Sequence, residues 1–319
     1  MSTTTNSNRN PVALVVGASR GLGRQIAIDL ARSGYTVILS AKTTSDASKT
    51  TPFPPSPNSP ASTINTVARE ITEAGGTAHA IPVDVRSVPQ IERLVAETVR
   101  LTNGRLDVLV YNSGAIWWSS VANTPVKRFR LMQQVNPEGL YATVQAALPV
   151  FERNGWRGRI VVVSPPIYSR FFRGKTGYAI GKIGMSVLTR GLAMDFERQG
   201  ARDMAITSIW PVTAVESAAT EMNPANIDSR ENLRKPTIFS DAILAILSTP
   251  AQTVNGLLAL DEDFLRQHAG VTDFSKYAVV PGSTPRRMMP QEMPVLEVAE
   301  QDDEGVRMDS SKMGRKSKL

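Results

Sequence analysis

Residues 11–34 read PVALVVGASRGLGRQIAIDLARSG, and three kinds of segment follow one another within them. Residues 11–16 form a short apolar, β-branched run suited to a strand buried on both faces. Gly17, Gly21 and Gly23 then punctuate a turn, and apolar residues recur at helical spacing in RQIAIDLARSG. Strand, glycine-rich turn and helix make the context in which a glycine motif carries meaning. The glycines let the backbone turn tightly and approach a pyrophosphate, while amides at the helix N-terminus favour the anion. The spacing is GxxxGxG rather than GxGxxG, so this segment alone leaves an ordinary βα turn open.

The same alternation continues. A strand at 35–40 ends in Ala41-Lys42, with no carboxylate where NAD-binding proteins place one for the ribose. Lys42 and Arg20 are suited to a 2′-phosphate instead, and NADP(H) is the expected cofactor. Residues 43–63 are rich in Ser, Thr and Pro, with prolines at 52, 54, 55, 57 and 60, and read as a surface loop inserted within the fold. Helix (about 64–74), strand (about 77–83), helix (about 88–101) and strand (about 106–111) follow. These strands end in Val83-Asp84-Val85 and Asn112-Ser113-Gly114, on the carboxyl edge where an open α/β sheet binds its ligand. A helix at about 125–152 contains Asn136-Pro137, and proline inside a helix frees a carbonyl to find another partner. A strand at 158–164 delivers Ser164 to the same edge. A further helix, a strand at about 204–209, a lid over the site at 212–235, a helix near 238–248 and a strand near 256–260 complete the pattern. The expected fold is α/β, a Rossmann-type doubly wound parallel sheet of about seven strands with helices on both faces.

The helix beginning near Gly177 carries Tyr178-Ala-Ile-Gly-Lys182. Residues four apart share a helix face. A free phenol titrates near ~10, and a nearby ammonium favours its charged form, which makes tyrosine a usable general acid or base. Such a pair also occurs as plain helix packing, so its meaning depends on its surroundings.

Composition narrows the classes. With 319 residues, 41% of them hydrophobic, the chain is long enough for a sizeable core. No cysteine is present, which excludes thiolate metal sites, disulfides and a cysteine nucleophile. The two histidines, His79 and His268, lie far apart in sequence, and no metal site is expected. No apolar run approaches the ~18 residues of a membrane span. The net charge of +7 is scattered without a basic stripe or aromatic platform, so nucleic acid is not an expected partner.

Taken in order, the glycine turn, Asn112-Ser113-Gly114, Asn136, Ser164 and Tyr178-x-x-x-Lys182 resemble the short-chain dehydrogenase/reductase family over roughly residues 10–280. The resemblance implies Tyr178 as proton donor or acceptor to the substrate oxygen, with Lys182 lowering its pKa and binding the nicotinamide ribose. It implies Ser164 as a hydrogen-bond partner of the reacting oxygen and Asn136 as the holder of a relay water through its backbone. Gly17, Ser19, Gly21, Leu22 and Gly23 would line the pyrophosphate, and Arg20 and Lys42 the 2′-phosphate. Asp84 and Val85 would meet the adenine, and Asn112 would brace the sheet. The implied reaction is hydride transfer between NADP(H) and a ketone or secondary alcohol. A cofactor-binding protein without catalysis and an enoyl reductase on the same fold are the alternatives. Three positions depart from the family pattern. Ser164-Pro165 replaces a serine pair, Tyr111 replaces a first asparagine, and Pro211-Val212 replaces Pro-Gly. Trp117 and Trp118 are candidates for an apolar pocket wall.

Residues 1–10 read as a disordered leader, 11–282 as the dehydrogenase/reductase domain, and 283–319 as a flexible polar tail. The tail closes on Ser317-Lys318-Leu319, the pattern of a peroxisomal import signal, which implies the peroxisome as location and its import receptor as partner. A homo-oligomer and a small-molecule carbonyl or alcohol substrate, acyl-CoA or lipid-like, are also expected.

Overall fold

Val12–Val16 has no polar side chain and is buried along its whole length, which makes it the natural centre of a sheet. A computed structural model describes residues 10–221 and 230–298. Its first half runs β1 (Val12–Val16), α1 (Gly21–Arg32), β2 (Thr36–Ala41), α2 (Ile64–Glu73), β3 (Thr77–Pro82), α3 (Val88–Leu101) and β4 (Val108–Tyr111). Then come α4 (Val126–Gln133), α5 (Gly139–Arg153), β5 (Arg157–Val163), α6 (Thr176–Arg198) and β6 (Asp203–Trp210). The last elements are α7 (Ala218–Glu221), α8 (Thr237–Ser248), α9 (Ala251–Val254), β7 (Leu258–Leu260) and α10 (Asp261–His268).

The strands form one parallel seven-stranded sheet in the order β3-β2-β1-β4-β5-β6-β7. Strand order reverses between β1 and β4, and such a switch point opens a crevice at the carboxyl ends of the strands. Ser40, Val16, Tyr111, Val162 and Ser208 share one register level, so the residues that follow them emerge at a common edge. Alternation along β1 divides the core. Ala13 and Val15 pack with Ile26, Ile64 and Phe239 on one face, and Val12, Leu14 and Val16 with Ile91, Leu140 and Phe151 on the other.

The expected strand of 106–111 begins at Val108. Asp107, just ahead of it, turns its carboxylate onto the amide of Val12 at 2.7 Å and so caps the edge of β1. The long helix expected at 125–152 is α4 and α5 joined by a π-helical segment, Gln134–Glu138. Pro137 is the reason, because it lacks the N–H that an α-helical register would use.

The inserted loop is not loose. Its Pro57 carbonyl accepts the Gly21 amide at 3.1 Å, and its Ser62 hydroxyl donates to the Ser19 carbonyl at 2.7 Å. Thr63 and Thr66 then form a reciprocal capping box that starts α2. The base of the expected lid is held by Glu216 N–H to the Arg234 carbonyl (2.9 Å) and Arg234 N–H to the Ala214 carbonyl (2.8 Å). Packing also extends past Gly282, where the tail was expected to begin: the Met288 amide donates to the Val212 carbonyl at 2.8 Å, and Arg190 pairs with Glu297 at 2.6 Å. Residues 1–9 of the expected leader and Ser317, Lys318 and Leu319 lie outside the described residues. No helix among the described residues is long and apolar enough to cross a membrane.

Candidate active site

The turn after β1 is built so closely that side chains are excluded. A Cβ on Gly17, whose φ is +93°, would lie 2.6 Å from the Ser113 amide nitrogen, and one on Gly23 would lie 2.0 Å from the Gly17 carbonyl oxygen. The Asn112 side-chain amide donates to that same carbonyl at 2.9 Å, tying the end of β4 to the turn. The Gly17 and Ala18 amides are held by the Ser40 carbonyl at the end of β2 (2.7 and 3.1 Å). The N-terminus of α1 therefore opens at the switch point, next to a glycine cradle.

Around the far end of β2 lie the expected ribose-side groups. Arg20 donates to the Thr43 hydroxyl at 3.3 Å. Lys42 is mostly exposed, and its ammonium lies 3.6 Å from the Asp84 carboxylate. The absence of a carboxylate read from β2 alone is thus corrected by the neighbouring strand, whose end supplies Asp84. That carboxyl is held well below the usual range, chiefly by its hydrogen bonds from Arg86. An exposed pair of this kind is weak, and Lys42 stays available to a stronger anion. Val85 is buried in the core, with its carbonyl against α5.

Tyr178 and Lys182 both lie on the buried side of α6. Trp118 meets the Tyr178 ring edge-on at 6.0 Å and Phe171 lies 6.1 Å away, so the tyrosine sits in an aromatic frame that Tyr168 and Met132 complete. Trp117, by contrast, stacks under Arg128 at 4.6 Å. The Lys182 ammonium donates to the Val163 carbonyl at 2.8 Å and stands 5.5 Å from the Trp210 ring. Burial pushes the Tyr178 phenol above its ordinary value and the Lys182 ammonium down to about 7. Desolvation acts on both side chains and favours the neutral form of each, whereas the family resemblance implies a charged lysine that lowers the tyrosine.

The π-helical segment connects these parts. The Asn136 side chain clamps Ala115, accepting its N–H at 2.8 Å and donating to its carbonyl at 3.1 Å. The Tyr111 hydroxyl donates to the Val135 carbonyl at 2.6 Å. Position 111, where the family pattern has an asparagine, thus supplies a donor to a carbonyl of the irregular turn. α6 crosses above through Gly181, where a Cβ would lie 3.3 Å from the Asn136 amide nitrogen. A Cβ on Gly114 would lie 3.4 Å from the Lys182 ammonium and 3.6 Å from the Asn136 amide oxygen. Lys182, Asn136 and the loop after β4 therefore meet around one glycine.

Ser164 is engaged by a neighbour on α6. Its hydroxyl is fully buried and lies 3.0 Å from the Ser186 hydroxyl, which also donates to the Pro165 carbonyl at 2.6 Å. That contact turns the hydroxyl toward α6, the helix that also carries Tyr178 and Lys182. Pro165 and Pro166 set that path, because proline fixes φ and removes a donor. Gly114 and Tyr111 stand in the sequence pattern, as the end of Asn112-Ser113-Gly114 and as a departure from the family; Gly181 and Ser186 carry no such signal.

A doubly wound sheet with a glycine cradle at its switch point defines a nucleotide-binding oxidoreductase type of site. A family model described as Enoyl-(Acyl carrier protein) reductase matches residues 17–258. Mouse hydroxysteroid dehydrogenase-like protein 2 is 35% identical over 271 residues, 84% of this chain and 51% of that protein. The chain thus spans about half the length of that relative. A dehydrogenase structure from Xanthomonas campestris superposes with a TM-score of 0.76 at 35% identity, covering 92% of this chain and 99% of that one. A short-chain dehydrogenase from Mycobacterium thermoresistibile gives 0.74 at 34%, over 88% and 94%. The chain belongs to the short-chain dehydrogenase/reductase family.

Proposed function

We propose that this chain is an NADP(H)-dependent oxidoreductase that interconverts a ketone and a secondary alcohol. The observation that carries the reading is the meeting of Lys182 and Asn136 at Gly114, two residues past the Asn112 that ties β4 to the Gly17–Gly23 cradle, with Tyr178 four residues before Lys182 on the buried side of α6. The cradle fits a dinucleotide, because backbone approaches as close as these exist only where no Cβ intervenes. When bound there, the cofactor would supply or accept the hydride.

The chain's own residues supply the rest. Gly17, Ser19, Gly21, Leu22 and Gly23 would face the pyrophosphate, Arg20 and Lys42 the 2′-phosphate, and Asp84 and Val85 the adenine. Asn112 braces the cradle. Tyr178 would give its proton to the carbonyl oxygen, or take it back in the reverse direction. Lys182, once charged, would favour the phenolate left behind and bind the ribose, while Asn136 fixes the loop that carries Ala115 and would hold a relay water. Ser164 acts here through Ser186, as a positioning residue. The aromatic frame shields the reacting oxygen and fits a lipid-like or acyl substrate.

The test is NADPH oxidation on a carbonyl panel with product analysis. An alcohol product supports ketone reduction. A saturated product from an enone supports the enoyl reading, which the description of the matching family model favours. Stoichiometric NADPH binding without turnover across the panel would make the chain a binding protein. For cofactor choice, Arg20→Ala with Lys42→Ala should weaken NADPH far more than NADH. The peroxisomal reading rests on Ser317-Lys318-Leu319, and a reporter fused to the C-terminal residues, with and without them, tests it.

A further inference from the structure

The last described residues turn back over the domain beside the aromatic frame. The Met288 and Met289 amides both donate to the Val212 carbonyl (2.8 and 3.2 Å), and the Tyr168 hydroxyl donates to the Met289 sulfur at 3.2 Å. Met289 and Met293 pack on the cluster that contains Tyr168, Phe171 and Tyr178. Arg287 anchors the segment with two bonds to Asp263, of 2.7 and 2.8 Å.

An open groove of about 620 Å³ lies at this junction, lined by Arg170 and by the segment Arg286–Gln291. Three guanidinium groups and no carboxylate line it. Arg287 is paired with Asp263 and also feels the carboxylates of Glu262 and Asp261, all outside the lining, so the uncompensated charge is that of Arg170 and Arg286. Arg170 gives one N–H to the Met288 carbonyl at 3.3 Å, and exposed Arg286 makes no hydrogen bond or ion pair among the described residues. The excess of positive charge continues toward Tyr178. Arg173 has no ion-pair partner among the described residues, and Lys175 is half-buried with its ammonium 4.1 Å from the Phe171 ring and 5.1 Å from the Trp118 ring. Phe171 and Trp118 are the same rings that frame Tyr178.

Arg170 and Arg286 have no ion-pair partner among the described residues, and an arriving anion would supply the counter-charge they lack. Guanidinium groups bind carboxylate and phosphate through charge-assisted hydrogen bonds. We propose that this groove holds the anionic end, a carboxylate or phosphate, of a substrate whose apolar body runs along the exposed ring of Trp118 and presents its carbonyl to Tyr178. The inference rests on the carbonyl-reducing reading of Tyr178. It adds that the substrate is amphipathic, with a negative group remote from the reacting carbon.

Calorimetric binding in the presence of NADP⁺ tests it without requiring turnover. Three ligands sharing one ketone and one chain are compared: the free acid, its methyl ester and its coenzyme A thioester. The acid or the thioester should bind about tenfold or more tightly than the ester, since one charge-assisted contact contributes on that scale. That preference should collapse in Arg286→Glu, again in Arg170→Glu, and in high salt. A tighter acid identifies a carboxylate on the substrate; a tighter thioester identifies a carrier phosphate. Anions that bind no better than the ester, or not at all, would overturn the proposal, as would a preference that survives both charge reversals. Failure of the reductase reading appears separately, as bound ligands without NADPH oxidation.

Discussion

Lys182 donates to the Val163 carbonyl at 2.8 Å from a position that is 4% exposed, which places an ammonium deep between α6 and β5. One carbonyl cannot replace the water such a group gives up, and its pKa falls to about 7. In the unfolded chain the same group titrates near ~10.4. Between the two values the unfolded chain binds more protons, so stability rises as pH increases from about 7 toward about 10.4 and is lowest below that window. Lys182→Met should flatten this rise in denaturant titrations taken across the range. An unchanged slope would contradict the burial argument.

Asn136→Ala removes both hydrogen bonds to Ala115 and leaves that backbone amide and carbonyl without those partners. Ala115 is only part-buried, and each lost hydrogen bond contributes about 0.5–1.5 kcal/mol, so urea unfolding should detect a loss on that scale. Turnover should fall as well, because Ala115 leads into the loop that carries Trp118 to the Tyr178 ring.

Tyr111→Phe isolates one bond. The Val135 carbonyl loses its donor while the buried ring keeps its shape. The expected cost is about 0.5–1.5 kcal/mol, read as a lower midpoint at an unchanged m-value.

Gly23→Ala tests the cradle. A Cβ 2.0 Å from the Gly17 carbonyl and 2.5 Å from the Asn112 amide cannot be accommodated without moving the turn. NADPH affinity should drop at least tenfold by fluorescence titration. Retained affinity would show that the cofactor does not use this turn.

These expectations indicate which parts of the site were legible in the chain. The Gly17–Gly23 turn, the strand-end residues Asp84 and Asn112, and the Asn136-Pro137 break are local signals with local causes, and the structure places them where the sequence pattern puts them. Contacts across elements were not legible. Gly181 is small because the Asn136 side chain reaches up to it, and Asp84 approaches Lys42 only because β2 and β3 are neighbours in the sheet. Ser164 follows β5 as its strand-end position implies, while the bonds from Ser186 to its hydroxyl and to the Pro165 carbonyl are contacts between elements. Met289 and Met293 lie in a polar stretch without periodicity, so their packing on the tyrosine cluster had no sequence signature.

Ser164→Ala distinguishes the two possible roles of that hydroxyl. A buried partner of Ser186 predicts a stability loss with kcat reduced only several-fold. A hydroxyl touching the reacting oxygen would cost closer to the hundredfold expected of a missing transition-state donor.

The central claim is that Tyr178 moves the proton, and Tyr178→Phe tests it most directly. The ring remains to fill its aromatic frame, so fold and NADPH affinity should be retained, while turnover of any ketone the wild type reduces should fall about a hundredfold or more. Turnover within tenfold of wild type, at unchanged NADPH affinity, would contradict the assignment.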